Sequence, residues 1–398
     1  MLRRKLCVLV ALIMLFSTSS ALGTSVDTES GVIRIESHGF FSVASMLSLK
    51  NGNLLLSLCR PSDIQGEPMH AEDTYKTWLL CLAPDGSVLW EQIFGEEGGT
   101  SWLKLVCERE DGSVLGFFHF SIEQDMQYAE LQRYSIKDGS LVWAGEKILV
   151  PEDAIESYIP VGDGYLHETV QNRWSSNLTT TYQMHDADSR VRWTVDGDDI
   201  LGELGVLKDA FETPHGILLW GDTRSAFFDG IQARAALVSH DGQVIWRKKY
   251  IELENGLFLN GAVSSSGEIA MTGFMDKGRW NFFTVLDPEN GEMRWHTTYN
   301  GEDIRYDQLA PTENGWLIAG NNLVGADRAV GFIEMDAQGD ILKAWNIPFA
   351  DEIECMMELF EWNDELWINA LFLLDDDTIR IGVMQRVQQW MEMNEPPV

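Results

Sequence analysis

Apolar residues along this chain gather in short runs of strand length, and polar turns rich in Asp, Asn and Gly separate them at nearly even intervals. Runs such as Leu103–Cys107, Gly216–Trp220, Phe282–Leu286 and Trp316–Ala319 have the content of strands covered on both faces. No stretch beyond the first residues carries a helical period. Two turn figures repeat. In the first, an apolar strand meets an Asp/Asn-Gly turn, and a large side chain follows four residues after the glycine. Its clear copies are Leu82–Trp90 (LAPDGSVLW), Tyr134–Trp143 (YSIKDGSLVW), Val238–Trp246 (VSHDGQVIW) and Leu286–Trp295 (LDPENGEMRW). His185–Trp193 places Ser189 at the glycine position, and Met335–Lys343 places Lys343 where the others have tryptophan. The glycine positions are 86, 139, 189, 242, 291 and 339, so the steps are 53, 50, 53, 49 and 48 residues.

The second figure is a turn that opens an apolar strand. It recurs at Asn51-Gly52, Asp111-Gly112, Asp163-Gly164, His215-Gly216, Ser266-Gly267, Asn314-Gly315 and, without glycine, Asn363-Asp364. The two figures interleave, which predicts units of four antiparallel strands, A to D, with the second figure as the A–B turn and the first as the C–D turn. Glycine and asparagine suit both, because tight hairpins need positive φ. A period of about 40–50 residues with strand-turn-strand content is that of a propeller blade. The expected fold is therefore all-β, a seven-bladed β-propeller of four-stranded antiparallel blades spanning residues 24–390. Seven A–B turns face only six C–D turns, and the strand-like segment Gly31–Glu36 precedes the first A strand. It is expected to close the ring as the missing outer strand of the last blade, which protects otherwise open sheet edges. Residues 391–398 are a short tail.

Composition refines this picture. Arg3, Arg4 and Lys5, the apolar run Leu6–Phe16 and the small residues up to Ala21-Leu22-Gly23 read as a signal peptide over residues 1–23. Its apolar run is too short for the ~20 residues that span a bilayer. The expectation is an exported chain in the cell envelope or outside, with no stable membrane insertion after cleavage. The formal charge of −33 repels nucleic acid and anionic lipid and keeps the surface solvated. Of the cysteines beyond the leader, Cys59, Cys81, Cys107 and Cys355, none forms a CxxC or vicinal pair. Cys59 and Cys81 fall on neighbouring strands, where either a disulfide or two buried thiols is compatible with export.

At Asp287, Gly291 and Trp295 the chain resembles the secreted bacterial propeller repeats related to quinoproteins (PQQ-like repeats), whose blades carry D-x-x-x-G-x-x-x-W. The other repeats keep the glycine-to-tryptophan half. The resemblance implies that Trp90, Trp143, Trp193, Trp246 and Trp295 dock between adjacent blades, a role that also suits a large ring filling a wedge between twisted sheets. It does not carry a PQQ or calcium site here: vicinal cysteines are missing, and no cofactor or metal is expected.

Catalytic patterns are equally sparse. The sialidase Asp box S-x-D-x-G-x-x-W fails, because Asp85-Gly86, Asp138-Gly139 and Asp241-Gly242 are contiguous. His167-Glu168 is not followed by the second histidine of a zinc motif. The acidic clusters Asp196–Asp199 and Asp375–Asp377 lack calcium-loop spacing and read as solvated turns. One distribution points to binding. The B–C connections carry arginine, often beside an aromatic: Arg60, Arg173 with Trp174, Arg224 with Phe228, Arg279 with Trp280, and Arg328. In so acidic a chain, such a rim would focus an acidic or sugar partner and stack against it. Ion pairs to the neighbouring blade are the competing account. The expected function is an exported, non-catalytic binding or scaffold protein for a protein or carbohydrate. The alternative is a propeller enzyme, a quinoprotein-like dehydrogenase or a carbohydrate-active hydrolase or lyase, with carboxylates that converge only in three dimensions.

Overall fold

The computed structural model describes residues 24–27, 32–38, 42–61, 75–95, 99–123, 126–150, 154–172, 178–202, 205–223, 231–300, 305–321, 329–348, 357–373 and 379–387. They form seven antiparallel sheets, five of four strands and two of five. In chain order, sheet I holds Ser42–Ser48, Leu54–Pro61, Tyr75–Leu82 and Val88–Phe94. Sheet II runs from Thr100–Glu108 to Leu141–Ala144, with Ile148–Val150 added beside Met126–Ser135. Sheet III runs from Ile155–Val161 to Val191–Asp196, IV from Gly205–Thr213 to Val244–Lys249, V from Leu257–Val263 to Met293–Asn300, and VI from Arg305–Pro311 to Ile341–Pro348. Sheet VII joins both ends of the chain. Met357–Trp362, Glu365–Leu373 and Ile379–Arg386 are followed by Val32–His38, paired from Val32↔Gln385 to His38↔Ile379. Thr24–Asp27 adds a fifth strand outside it, which the repeat pattern gives no sign of. The proposed leader, residues 1–23, and the tail, residues 391–398, lie outside the described residues.

The first strands of successive sheets touch one another, so they line a common axis and the fourth strands lie outermost. Shared apolar clusters join I to II, II to III, III to IV, IV to V, V to VI, and VII back to I. Between VI and VII, the Leu359 N–H donates to Gln308 Oε1 at 3.2 Å. Middle strands are therefore covered on both faces, which is why Thr77–Leu82 is continuously buried. Outer strands such as Val88–Phe94 are mostly exposed.

Inner strands carry a β-bulge in sheets I, II, IV, V and VI, and at II, IV and VI polar side chains of the preceding sheet cross to the backbone beside it. Leu105 N–H donates to Ser45 Oγ at 2.7 Å, and Leu207 N–H to Glu168 Oε1 at 2.9 Å. Thr272 Oγ1 donates to the Tyr306 carbonyl at 3.1 Å. Each bond satisfies a group that would otherwise cost ~1–3 kcal/mol to bury.

A second set of bulges explains the glycine-to-tryptophan spacing. In all six C–D hairpins the register slips by one residue between the turn and the tryptophan position; Leu82 pairs with Val88 but Cys81 with Trp90. The slip re-aims that side chain onto the next sheet. There it lies over the glycine of the next C–D turn. A Cβ on Gly139 would come 2.4 Å from Trp90, one on Gly242 2.7 Å from Trp193, one on Gly291 2.6 Å from Trp246, and one on Gly339 2.4 Å from Trp295. Trp90 and Trp246 also donate to the Ile136 and Pro288 carbonyls at 2.8 and 2.9 Å.

Trp143 departs from the expected docking. It is 41% exposed and lies under the Arg133 guanidinium, 4.9 Å away, on its own sheet. Its receiving turn carries Ser189 at φ 64°, where the other receiving turns have a glycine whose added Cβ would come 2.4–2.7 Å from the docked ring. Cys59 lies opposite Thr77 and Cys81 opposite Leu55, so about 13 Å of strand separates them, too far for a disulfide.

Candidate functional site

A–B and C–D turns share one end of the molecule, and B–C and D–A connections share the other, here called the loop end. Arg173, Trp174, Arg224, Phe228 and Arg328 lie at connections outside the described residues, as does the Asp375–Asp377 cluster. Arg279 and Trp280 are described. Asp276–Gly278 forms a 3-10 turn leading into the strand Trp280–Leu286, with Arg279 4.0 Å from Asp276 and its guanidinium 5.8 Å from the Trp280 ring centre. Trp280 is 37% exposed. Asp196–Asp199 caps and begins a short helix, Gly197–Ile200, through an Asp198 N–H bond to Asp196 at 3.0 Å. No group of three or more candidate metal ligands occurs among the described residues.

The chemistry the sequence did not reveal lies at the axis. Lys104 on the inner strand of sheet II feels the charges of Asp209 of sheet IV and Glu168 of sheet III. Glu358 of sheet VII feels Asp209 from across the axis. Asp209 and Glu358 reach solvent, yet each is desolvated at its inner strand. Burial therefore raises the pKa of both carboxyls. For Asp209, the Ala210 N–H and the Lys104 and Lys208 ammonium groups oppose this; for Glu358, the Asp209 charge adds to it. Burial lowers the Lys104 pKa, while Asp209 and Glu168 hold it up. Carboxyls raised in this way, one of them acting on an ammonium, are groups that can donate and accept protons. Glu168 is 2% exposed and has the structural task of receiving the Leu207 N–H.

Above this cluster, toward the loop end, Trp102 stands two residues before Lys104 on the same strand. It is 38% exposed and stacks on His119, with ring centres 3.8 Å apart and planes 7° apart. On the same sheet Lys147 lies 4.1 and 4.2 Å from the Phe120 and Tyr128 ring centres. A groove of about 550 Å³ at the opposite end, lined by Asn51, Leu89, Trp90, Glu108, Ile136 and Lys137, follows the docking turns and gathers no comparable charge cluster.

Solved structures resolve the architecture. The β-propeller domain of Myceliophteria thermophila Cps50 (Swd1) superposes with a TM-score of 0.50 over 87% of this chain and 99% of its own, at 10% identity. The fold is a β-propeller. A puromycin hydrolase (S511A mutant) matches with a TM-score of 0.50 over 89% of this chain at 12% identity. This chain spans about half of that hydrolase, 52% of its length. At such identities the propeller architecture is shared and nothing about activity follows. No protein-family model and no curated protein sequence matches the chain.

Lys104, Asp209 and Glu358 lie in different sheets, so no spacing rule joins them. The signal available in sequence was local: an ionisable residue inside an otherwise apolar inner strand, as in Leu103-Lys104-Leu105.

Proposed function

We propose that this protein is an exported seven-bladed propeller, its ring completed by the N-terminal strand, that binds a carbohydrate or protein partner at its loop end without catalysing a reaction. The carrying observation is the half-exposed Trp102, stacked on His119 above the axial Lys104, Asp209 and Glu358. A flat ring beside paired donors and acceptors suits stacking of a sugar ring, or burial of an aromatic anchor from a protein. Arg279 and Trp280 extend the same end, and the proposed rim of Arg173, Trp174, Arg224, Phe228 and Arg328 would continue it around the mouth. The −33 charge speaks against nucleic acid as the partner. Export rests on the basic and apolar leader, and kinship with PQQ-like repeats on Asp287, Gly291 and Trp295.

Replacing Trp102 and Trp280 by alanine tests this reading against a panel of glycans and envelope proteins. Binding should fall at least about tenfold for any ligand found, the loss of ~1.4 kcal/mol or more expected of a stacking residue. Unchanged binding in both variants would remove the proposed site. A second reading, a carbohydrate-active enzyme, is favoured by the raised carboxyls of Asp209 and Glu358, since one could serve as acid and the other as base. Turnover of a glycan that is lost in both Asp209→Asn and Glu358→Gln would establish it in place of the first.

A further inference from the structure

The junction of sheets II and III differs in two ways from the tryptophan-docked junctions I–II, III–IV, IV–V and V–VI. It lacks the tryptophan dock, because Ser189 occupies the receiving turn and Trp143 stays outside. Beside the aliphatic Val106 and Leu115 it holds a chain of aromatic and imidazole rings. Phe117 meets His119 edge-on at 4.2 Å and Tyr158 at 4.0 Å. Tyr158 stacks on His167 at 4.3 Å, and Tyr165 on His185 at 4.7 Å. The His167 and His185 rings lie 6.0 Å apart. At the turn end Arg109 spans the junction, donating to the Ala187 carbonyl and to Asp188, the latter at 2.7 Å.

We propose that this junction is an acid-sensitive joint: protonation of the imidazoles held in it separates sheets II and III while the tryptophan-docked junctions stay closed.

The groups facing each imidazole account for the direction. His119 is faced on its own sheet by Lys104, Trp102 and Phe117, and Phe117 in turn meets Tyr158 across the junction; the His119 Nε2 has no hydrogen-bond partner among the described residues. Burial and then the Lys104 charge lower its pKa from 6.5 to about 4. His185 is lowered by burial and by His167, against the Ser189 carbonyl and Asp186. His167 faces Glu156 at 2.5 Å and Thr169 at 3.4 Å. Arg109 faces Asp111 at 3.7 Å and Asp188 at 2.7 Å. Neutral imidazole is thus favoured in the closed joint. An opened joint binds protons more tightly, so closure is fully favoured above pH 6.5 and weakens as pH falls toward about 4. If opening frees His119 to its ordinary value, the opening constant rises about 20-fold between pH 7 and pH 5.

Hydrogen exchange of the intact protein at pH 7 and pH 5, corrected for intrinsic rates, reads this constant strand by strand. Exchange should rise about 20-fold in Ser113–Glu123, Ile155–Val161 and Gly164–Gln171, and little in sheets IV, V and VI. His119→Phe, which keeps a ring in the stack, should abolish most of that rise without changing exchange at pH 7. Ser189→Gly, which opens a place for Trp143, should slow exchange at this junction at both pH values. A uniform rise over all sheets would overturn the proposal. So would a rise that persists undiminished in His119→Phe, or a junction indifferent to Ser189→Gly.

Discussion

Gly242 offers a direct measurement of what a docked tryptophan demands of its partner turn. It has φ +88°, and a Cβ added there would lie 2.7 Å from Cγ and 2.9 Å from Cβ of Trp193, a ring that is only 7% exposed. Gly242→Ala therefore meets two costs. Left-handed backbone costs a non-glycine residue ~1–2 kcal/mol. Forcing the ring aside adds ~1–3 kcal/mol of overpacking. Gly112→Ala is the matched control, with φ +76° but nothing within 4 Å of the added carbon. It should show the backbone cost alone. Urea unfolding followed by far-UV circular dichroism reads both as shifts of midpoint at constant slope. The expected excess for Gly242→Ala is about 1–3 kcal/mol. Trp193→Ala should cost about 3–5 kcal/mol by itself, and the double variant should cost less than the two singles together, because the clash disappears with the ring. Equal costs at Gly242 and Gly112, or an additive cycle, would refute the view that the glycine is needed for the ring as well as for the turn.

Three further outcomes follow from other sites. Glu168→Leu strands the Leu207 N–H and deprives Lys104 of a carboxylate, and should cost about 2–4 kcal/mol in urea unfolding, whereas Glu168→Gln keeps the acceptor and should cost less. Asp209 and Glu358 bind protons more tightly folded than unfolded, so their ionisation weakens the fold as pH rises through their raised pKa values. Asp209→Asn and Glu358→Gln should each raise the melting temperature at pH 8, with a gain that shrinks toward pH 4; a gain independent of pH would contradict this. Burial pushes the thiols of Cys81 and Cys107 up to about 11, so neither should react with a disulfide reagent at pH 8 until the protein unfolds, and fast labelling of either in the folded protein would oppose the placement.

The repeat of turns and large side chains was legible because each element of it is local. A tight hairpin needs glycine or asparagine wherever the chain lies, and a strand covered on both faces must be apolar throughout, so period and strand content could be read from the residues alone. The strand Gly31–Glu36 was legible by the same means, as the strand left over when turns are counted. Even the failure at Trp143 was written in the sequence, at Ser189, although its consequence needed the sight of one sheet's ring resting on the next sheet's turn.

The axial cluster was not legible. Lys104, Glu168, Asp209 and Glu358 belong to four sheets, and only long-range packing brings Lys104 within reach of Asp209 and Glu168, and Asp209 within reach of Glu358. The same holds for the joint between sheets II and III, where His119, His167 and His185 sit on strands that meet across a face. Local propensity and periodicity determine which strands form and which of their faces are covered. Which ionisable groups share an enclosure, and therefore how their protons are held, depends on long-range packing and on the water it excludes.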